Sequence, residues 1–312
     1  MASFEVPAEY NYLWTTRHKP TLEIGSGDTI SFDQVPEAAG GQFDDYRAGD
    51  PIPELDFERL YPMLGPIMVE GAEPGDVLEL ELLEYESHGW GWTATLPGMG
   101  LLAEEFADPH LHIWDFKGSS AADFKGVASV PVRPFLGVLA STPDTDEPQG
   151  VIPPGHFGGN IDCRDLIAGT KVFLPVQTPG ARLMLSDPHA AQGDGEVCVS
   201  AIEAPLGGRM KVTLHKGWSI PAPQFQTPGP LRSGIEDKGY YATMGVGPDL
   251  MGAAKDAVRY MIDHMSRRYG LDPLDAYVLS SVAVDLKISE VVDAPNWVVS
   301  AYLPLSIMNE ER

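Results

Sequence analysis

Asp187 and His189, in LMLSDPHAAQGDGE, place a carboxylate and an imidazole two residues apart. On an extended segment both face the same way, and the pairing suits a divalent metal. Asp162, just past the Gly-Gly-Asn run of GGNIDCRDL, is a third candidate ligand. Held with one coordination position open, a metal on Asp162, Asp187 and His189 would lower the pKa of a bound water. Glu203 ends an apolar run, and Glu70 follows another just before a glycine. A carboxylate at such an end is partly desolvated and suits a general base. In Gln192-Gly193-Asp194-Gly195-Glu196, Asp194 and Glu196 could orient the metal ligands and Gln192 could hydrogen-bond a carboxamide, although the Asp-Gly step also suits a plain turn. His156 heads a Gly-rich loop and could donate to an oxyanion. His110 and His112 alternate in an aromatic stretch that could line a pocket.

These residues need loops held at strand ends. Gly155, Gly158, Gly159, Gly193 and Gly195 mark the loops, and KVFLPV (171–176) and VCVSAI (197–202) read as buried strands between them. Pro188 excludes an interior ladder position for its segment. Upstream, TLEIGSGDTISF and PIMVEGAEPGDVLELELLEY each read as two strands broken by a turn, with Val77, Leu80 and Leu82 on the buried face. Residues 91–150 read as irregular, and STPDTDEPQG (141–150) as the most linker-like stretch. GGRMKVTLHKGWSI reads as strand and the proline-rich PAPQFQTPGP as loop. From Asp249 a helix with a stripe through Leu250, Ala254, Val258, Met261, Ile262 and Met265 runs to Gly270. A second helix is expected from Pro273, capped by Asp272, and WVVSAYLPL closes as a strand.

Composition narrows the function. The 312 residues, 43% hydrophobic and 21% charged, are those of an ordinary globular protein rather than a disordered one. A net charge of −24 repels nucleic acid and anionic membranes, which leaves a small neutral or cationic substrate as the easier partner. Cys163 and Cys198 form no Cys-x-x-Cys pair, and there is no apolar run long enough for a membrane span and no signal-peptide pattern, so a reducing cytoplasm is expected. Serine-hydrolase elbow, His-Glu-x-x-His and phosphate-loop motifs are absent from the sequence.

The segments GGNIDCRDL, LPVQTPGARLMLSDPHAAQGDGEVCVSAIE, VEGAEPGDVLELELLE and AYVLSSVAVDLKISEVVD together resemble the acetamidase/formamidase family, over most of the chain. The resemblance implies a mainly β fold, with β-sandwich or barrel-like lobes and a smaller C-terminal α+β portion. The expected division is 1–140 as an N-terminal β-sandwich lobe, 141–230 as a β-rich lobe carrying the site loops, and 231–312 as an α+β segment packed on the core. It further implies a homo-oligomer with a divalent metal, zinc or calcium, that hydrolyses short amides to acid and ammonia. Carried over by position, the family's motifs fall on Asn160 and Asp162, on Asp187 and His189, and on Gln192, Asp194 and Glu196. The expected mechanism has the metal on Asp162, Asp187 and His189 activating water, with Glu203, Glu70 or Asp194 as acid/base carboxylate and Asn160, Gln192 and His156 positioning the amide. Cys163 as a nucleophile is disfavoured by its acidic loop. Ser186 stands where the family often has glycine, and the chain is shorter than many formamidases. Two alternatives stay open: a lactam or larger-amide hydrolase of the same family, and a non-catalytic β-sandwich binding calcium or a sugar.

Overall fold

A computed structural model describes residues 1–47, 50–52, 54–99, 108–124, 128–192, 196, 199–229, 238–271, 284–305 and 308, without side-chain placement for 123, 124, 128–131, 285 and 304. Two sheets account for most of it. The first has nine strands in the order Ser3–Glu5, Thr29–Val35, Leu206–His215, Val77–Ser87, Lys171–Pro175, Gln224–Gln226, Tyr240–Gly247, Trp297–Pro304 and Asp285–Glu290. The second runs Gly158–Asn160, Phe135–Ser141, Leu183–Ala191, Ile202–Glu203, Trp90–Thr95 and His110–Asp115, with Met63–Val69 also paired to Leu183–Ala191.

The fold is mainly β, as expected from the sequence, and the two sheets share one core. Leu78, Leu80, Leu82, Val172, Leu174 and Val212 of the first sheet pack with Leu64, Ile67, Leu136, Leu139, Leu183 and Leu185 of the second. The period of two in Val77–Ser87 sends those leucines inward, while Val77 faces the opposite side, under the helix. The segments 1–140, 141–230 and 231–312 interleave: the nine-stranded sheet takes three strands from each, so neither 140/141 nor 230/231 separates two cores. STPDTDEPQG is tied to the N-terminal segment rather than bridging lobes, through the Trp14–Gln149 bridge and Thr16.

The helix Leu250–Tyr269 lies on the outer face of the nine-stranded sheet. Asp249 caps it by accepting from Gly252 N–H, and Gly270 ends it in the left-handed conformation. Its buried stripe is Ala253, Ala257, Met261 and Met265, one step round from the expected face. Gly245 lets strand and helix touch: a Cβ there would sit 1.9 Å from Ala253 O. No helix among the described residues is long and apolar enough to cross a membrane. The expected second helix falls largely outside the described residues, and Asp285 and Leu286, at its end, begin a strand.

Three further expectations change. Within 91–150, Trp90–Thr95, His110–Asp115 and Phe135–Ser141 are strands of the second sheet. In PAPQFQTPGP, Gln224–Gln226 is a ladder strand between two others. Of VCVSAI, Val197 and Cys198 lie outside the described residues and only Ile202 enters a strand.

Candidate active site

Leu183–Ala191 carries the site because its partners change halfway along. One edge pairs in a single register with Phe135–Ser141, broken at Gly137 and Asp187. On the other, Leu183 and Leu185 pair with Ile67 and Leu64, whereas His189 and Ala191 pair with Glu203 and Ile202. Ser186, Asp187 and Pro188 occupy the fork. Pro188 is therefore interior to the sheet after all; the ladder tolerates it because Asp187 adopts φ 57° at the irregularity, and Pro188 O still accepts from Ala204 N–H.

Asp162 and Glu196 are left-handed as well, at φ 47° and 44°. Backbone of this kind in non-glycine residues persists where surrounding structure fixes it, and it gathers at functional sites. Before Asp162, Gly158 at φ 108° would drive a Cβ to 2.3 Å from Leu139 O, so the Gly-Gly-Asn loop lies flat on Phe135–Ser141. Ile161 and Asp162 then donate their N–H groups to Gly137 O. Gly137 leaves the space into which the acids turn: a Cβ there would lie 2.3 Å from Asp162 Oδ1 and 2.7 Å from Asp187 Oδ2.

His189 stands at the centre. Its Nε2 lies 3.1 Å from Glu203 Oε2, 3.3 Å from Asp187 Oδ1 and 4.0 Å from Glu196 Oε1. None of the five residues Asp162, Asp187, His189, Glu196 and Glu203 is more than 7% exposed. The contacts are close without being oriented hydrogen bonds: His189 Nε2, Asp187 Oδ1, Glu203 Oε2 and both Asp162 carboxylate oxygens have no hydrogen-bond partner. Burial works against the imidazolium, but Glu203 and Asp187 outweigh it and hold the His189 pKa well up. Burial and then neighbouring carboxylates push Asp162 well up; burial does the same to Glu196 against the pull of His189, and raises Glu203. Four buried acids around one imidazole lack positive charge, and bare oxygens with a bare ring nitrogen are what a divalent cation requires. Two sets have the spacing to hold one, Asp162–His189–Glu196 and Asp187–His189–Glu203, and His189 belongs to both.

Gln192 has a different job from the one expected. Its Nε2 donates to Asp162 O at 2.7 Å, and its Oε1 lies 3.0 Å from His189 Nδ1. A peptide oxygen only accepts, so the amide orientation is fixed and Nδ1 carries the proton that Oε1 accepts. Nε2 is thereby turned toward the acids, and both ends of the Gln192 amide are engaged by protein.

The structure separates other expected members from this cluster. Glu70 is exposed in the turn after Met63–Val69, at the end of that strand away from Asp187. At about 3.3 Å per residue the two are roughly 20 Å apart, which removes Glu70 from proton transfer here. His156 is exposed in the turn between Gly155 and Gly158. Asp194 lies outside the described residues. Cys163 faces the core, its Sγ 3.9 Å from the Tyr302 hydroxyl. His110 and His112 sit on the edge strand His110–Asp115, away from the acids. A cavity of about 530 Å³ between the helix and the nine-stranded sheet, walled by Phe173, Trp218, Tyr241 and His264, contains none of the acidic cluster.

Three contributors escape a reading of the sequence. Gly137 is a lone glycine in the apolar run FLGVLA, a pattern that signals close approach once the run is recognised as a strand. Tyr61, left-handed at φ 55°, has its phenol pKa raised well up by burial and by Asp187, Asp293, Glu203 and Asp162 together. Asp293, in the turn after Asp285–Glu290, accepts from Asn160 Nδ2 at 2.7 Å, and nothing in VVDAPN announces that contact.

Comparison with known proteins gives consistent matches. The family model described as acetamidase/formamidase matches residues 9–150 and 145–310. A formamidase of Methylophilus methylotrophus is 26% identical, over 86% of this chain and 82% of its own. A crystal structure of a predicted acetamidase/formamidase from the thermophile Thermoanaerobacter tengcongensis superposes with a TM-score of 0.89 at 28% identity, covering 98% of this chain and 97% of that one. An acetamidase from Bacillus halodurans gives a TM-score of 0.87 at 29% identity, covering 98% of each chain.

Proposed function

The chain belongs to the acetamidase/formamidase family, and from that premise we propose that it hydrolyses short linear carboxamides of the formamide and acetamide type to the carboxylic acid and ammonia. The observation that carries the reading onto this chain is the buried group of Asp162, Asp187, His189 and Glu203, whose facing atoms no protein donor satisfies.

We assign to a divalent cation His189, which belongs to both sets of suitable spacing, with Asp162 and Asp187, one carboxylate from each set. Both Asp162 oxygens and Asp187 Oδ1 are bare, and by holding Nδ1 Gln192 turns His189 Nε2 to the acids, where a cation would take the place of its proton. The imidazole favours zinc over calcium, which takes oxygen ligands. When bound, such a cation polarises the amide carbonyl and lowers the pKa of water beside it.

Glu203 moves the proton. Ala201 N–H holds its Oε1 at 2.8 Å, so Oε2 is presented to the site. Burial raises its pKa above the ordinary carboxylate value, which makes it a stronger base for the proton of an attacking water. Glu203 takes a proton from the attacking water as the C–O bond forms, then gives it to the amide nitrogen as the C–N bond breaks and ammonia leaves. The amide nitrogen is a poor leaving group until protonated, which is why a carboxylate is required beside the cation.

We further propose a homo-oligomer, from the likeness to the family, in a reducing cytoplasm, which the absence of a Cys-x-x-Cys pair suits. Ammonia release from formamide, acetamide, propionamide and a γ-lactam tests the function: turnover confined to the linear amides is expected. Turnover of the lactam alone would move the assignment to cyclic amides, and none at all would return it to a binding module.

A further inference from the structure

Asn160 is 1% exposed, stands two residues before Asp162 and has one end of its amide used. Its Nδ2 donates to Asp293 Oδ2 at 2.7 Å, while its Oδ1 has no hydrogen-bond partner. The carboxyl oxygen of Asp293 selects the nitrogen end of the amide, so the carbonyl end is held away from it. Asn160 has little freedom to turn elsewhere. It is Cα-paired with Val138, and the next two N–H groups, of Ile161 and Asp162, are pinned on Gly137 O. Gly137 is the residue over which Asp162 and Asp187 converge.

The bare atoms of Asn160 and of the acidic cluster are acceptors, apart from His189 Nε2: Asn160 Oδ1, both oxygens of Asp162, Asp187 Oδ1 and Glu203 Oε2. A cation satisfies carboxylates and can also take a carbonyl oxygen; a neutral amide oxygen is equally suited to an N–H or O–H donor. A primary amide brings two N–H donors on the nitrogen that must leave. The product carboxylate brings none and is repelled by the acids.

Resting on the amidase reading, we propose that Asn160 Oδ1 accepts an N–H of the substrate carboxamide and so selects amides over esters and over the product acid. Asp293 is the positioning residue that fixes the orientation of the Asn160 amide. It does so from the C-terminal turn, some 130 residues further along the chain.

The test compares acetamide with methyl acetate, which presents the same acyl group without an N–H. In Asn160→Leu and in Asp293→Leu, the ratio of kcat/KM for amide to that for ester is expected to fall about tenfold to a hundredfold, the loss that follows when a polar contact to the substrate is removed. Asp293→Asn keeps an oxygen that can accept from Asn160 Nδ2, and it should retain a ratio close to wild type. The residual ester rate shows in each case that the variant is folded. Amide and ester rates that fall in step in both leucine variants would overturn the proposal, since Asn160 would then serve the scaffold or the cation rather than the substrate nitrogen. An unchanged ratio with unchanged rates would overturn it too. Wild-type protein that turns over neither compound fails differently, by removing the amidase reading beneath it.

Discussion

Gly137→Ala is the substitution whose consequence the structure fixes most tightly. The added methyl would stand 2.3 Å from Asp162 Oδ1, 2.7 Å from Asp187 Oδ2 and 3.0 Å from Asp187 O. Ordinary contact begins near 3.4 Å, so the two carboxylates must retreat by about 1.1 and 0.7 Å. Neither has room: both residues are buried and left-handed, and Asp162 is tied back to the Gly137 carbonyl by its own N–H. A displacement of about 1 Å in groups that position reactants costs roughly a hundredfold in rate. Overpacking of this kind costs about 1–3 kcal/mol in stability. Ammonia release from acetamide, corrected for folded fraction, should therefore fall about a hundredfold, with a parallel loss of bound divalent metal. Gly245→Ala is the control, because its Cβ would strike Ala253 O at 1.9 Å on the far face of the other sheet; it should lose stability and keep its rate per folded molecule. A Gly137→Ala protein with wild-type kcat/KM and metal content would refute the convergence of Asp162 and Asp187 on a working site.

Other perturbations separate positioning from packing. Gln192→Leu removes the acceptor for His189 Nδ1–H and should lower metal affinity or kcat/KM about 10–100-fold, as loss of a partner behind a metal-binding histidine does; titration with zinc measures it, and an unchanged affinity and rate would show that the ring needs no support. Glu37 is buried behind Trp92, and burial raises its pKa to about 7 despite donors from Gly41, Ala39 and Trp92. A carboxyl whose folded pKa is raised binds more protons folded than unfolded, so stability falls as pH rises from about 4.5 to 7, by up to about 3 kcal/mol for this group. Urea unfolding across that range should be flatter for Glu37→Gln than for wild type, and parallel curves would contradict the shift. Asp249→Ala should cost about 1 kcal/mol by uncapping the helix, with ammonia release unaltered, measured by thermal unfolding and the amide assay.

Where one short stretch of chain decides the outcome, the sequence was readable. Period two in Val77–Ser87 and the Asp249 and Gly270 caps are local patterns that the structure reproduces, except that Val77 faces the helix; Asp187 and His189 do meet, but at a left-handed Asp187 rather than along an extended run. The strands in 91–150 were hidden because Gly and Pro suggest loops, whereas long-range pairing decides a sheet and uses glycines such as Gly137 for space. Pro188 misled for a similar reason, since the neighbouring bulge that accommodates it is tertiary. Sequence can nominate an acid but not its distance from the others. Glu70 and Glu203 look alike as carboxylates ending apolar runs, yet only Glu203 is paired in register with His189. Tyr61 and Asp293 reach the site from turns far away in the chain and carry no local mark.

The proposed role of Asp162, Asp187 and His189 is to hold a divalent cation without which the amide bond is not cleaved. Metal content and ammonia release from acetamide, followed on one preparation through exhaustive chelation and back-titration with zinc, test it most directly. Roughly one tightly bound divalent ion per chain is expected, with turnover that disappears with it and returns on titration, and neither behaviour in Asp162→Asn or His189→Ala. Full turnover by chelated protein free of metal would contradict it.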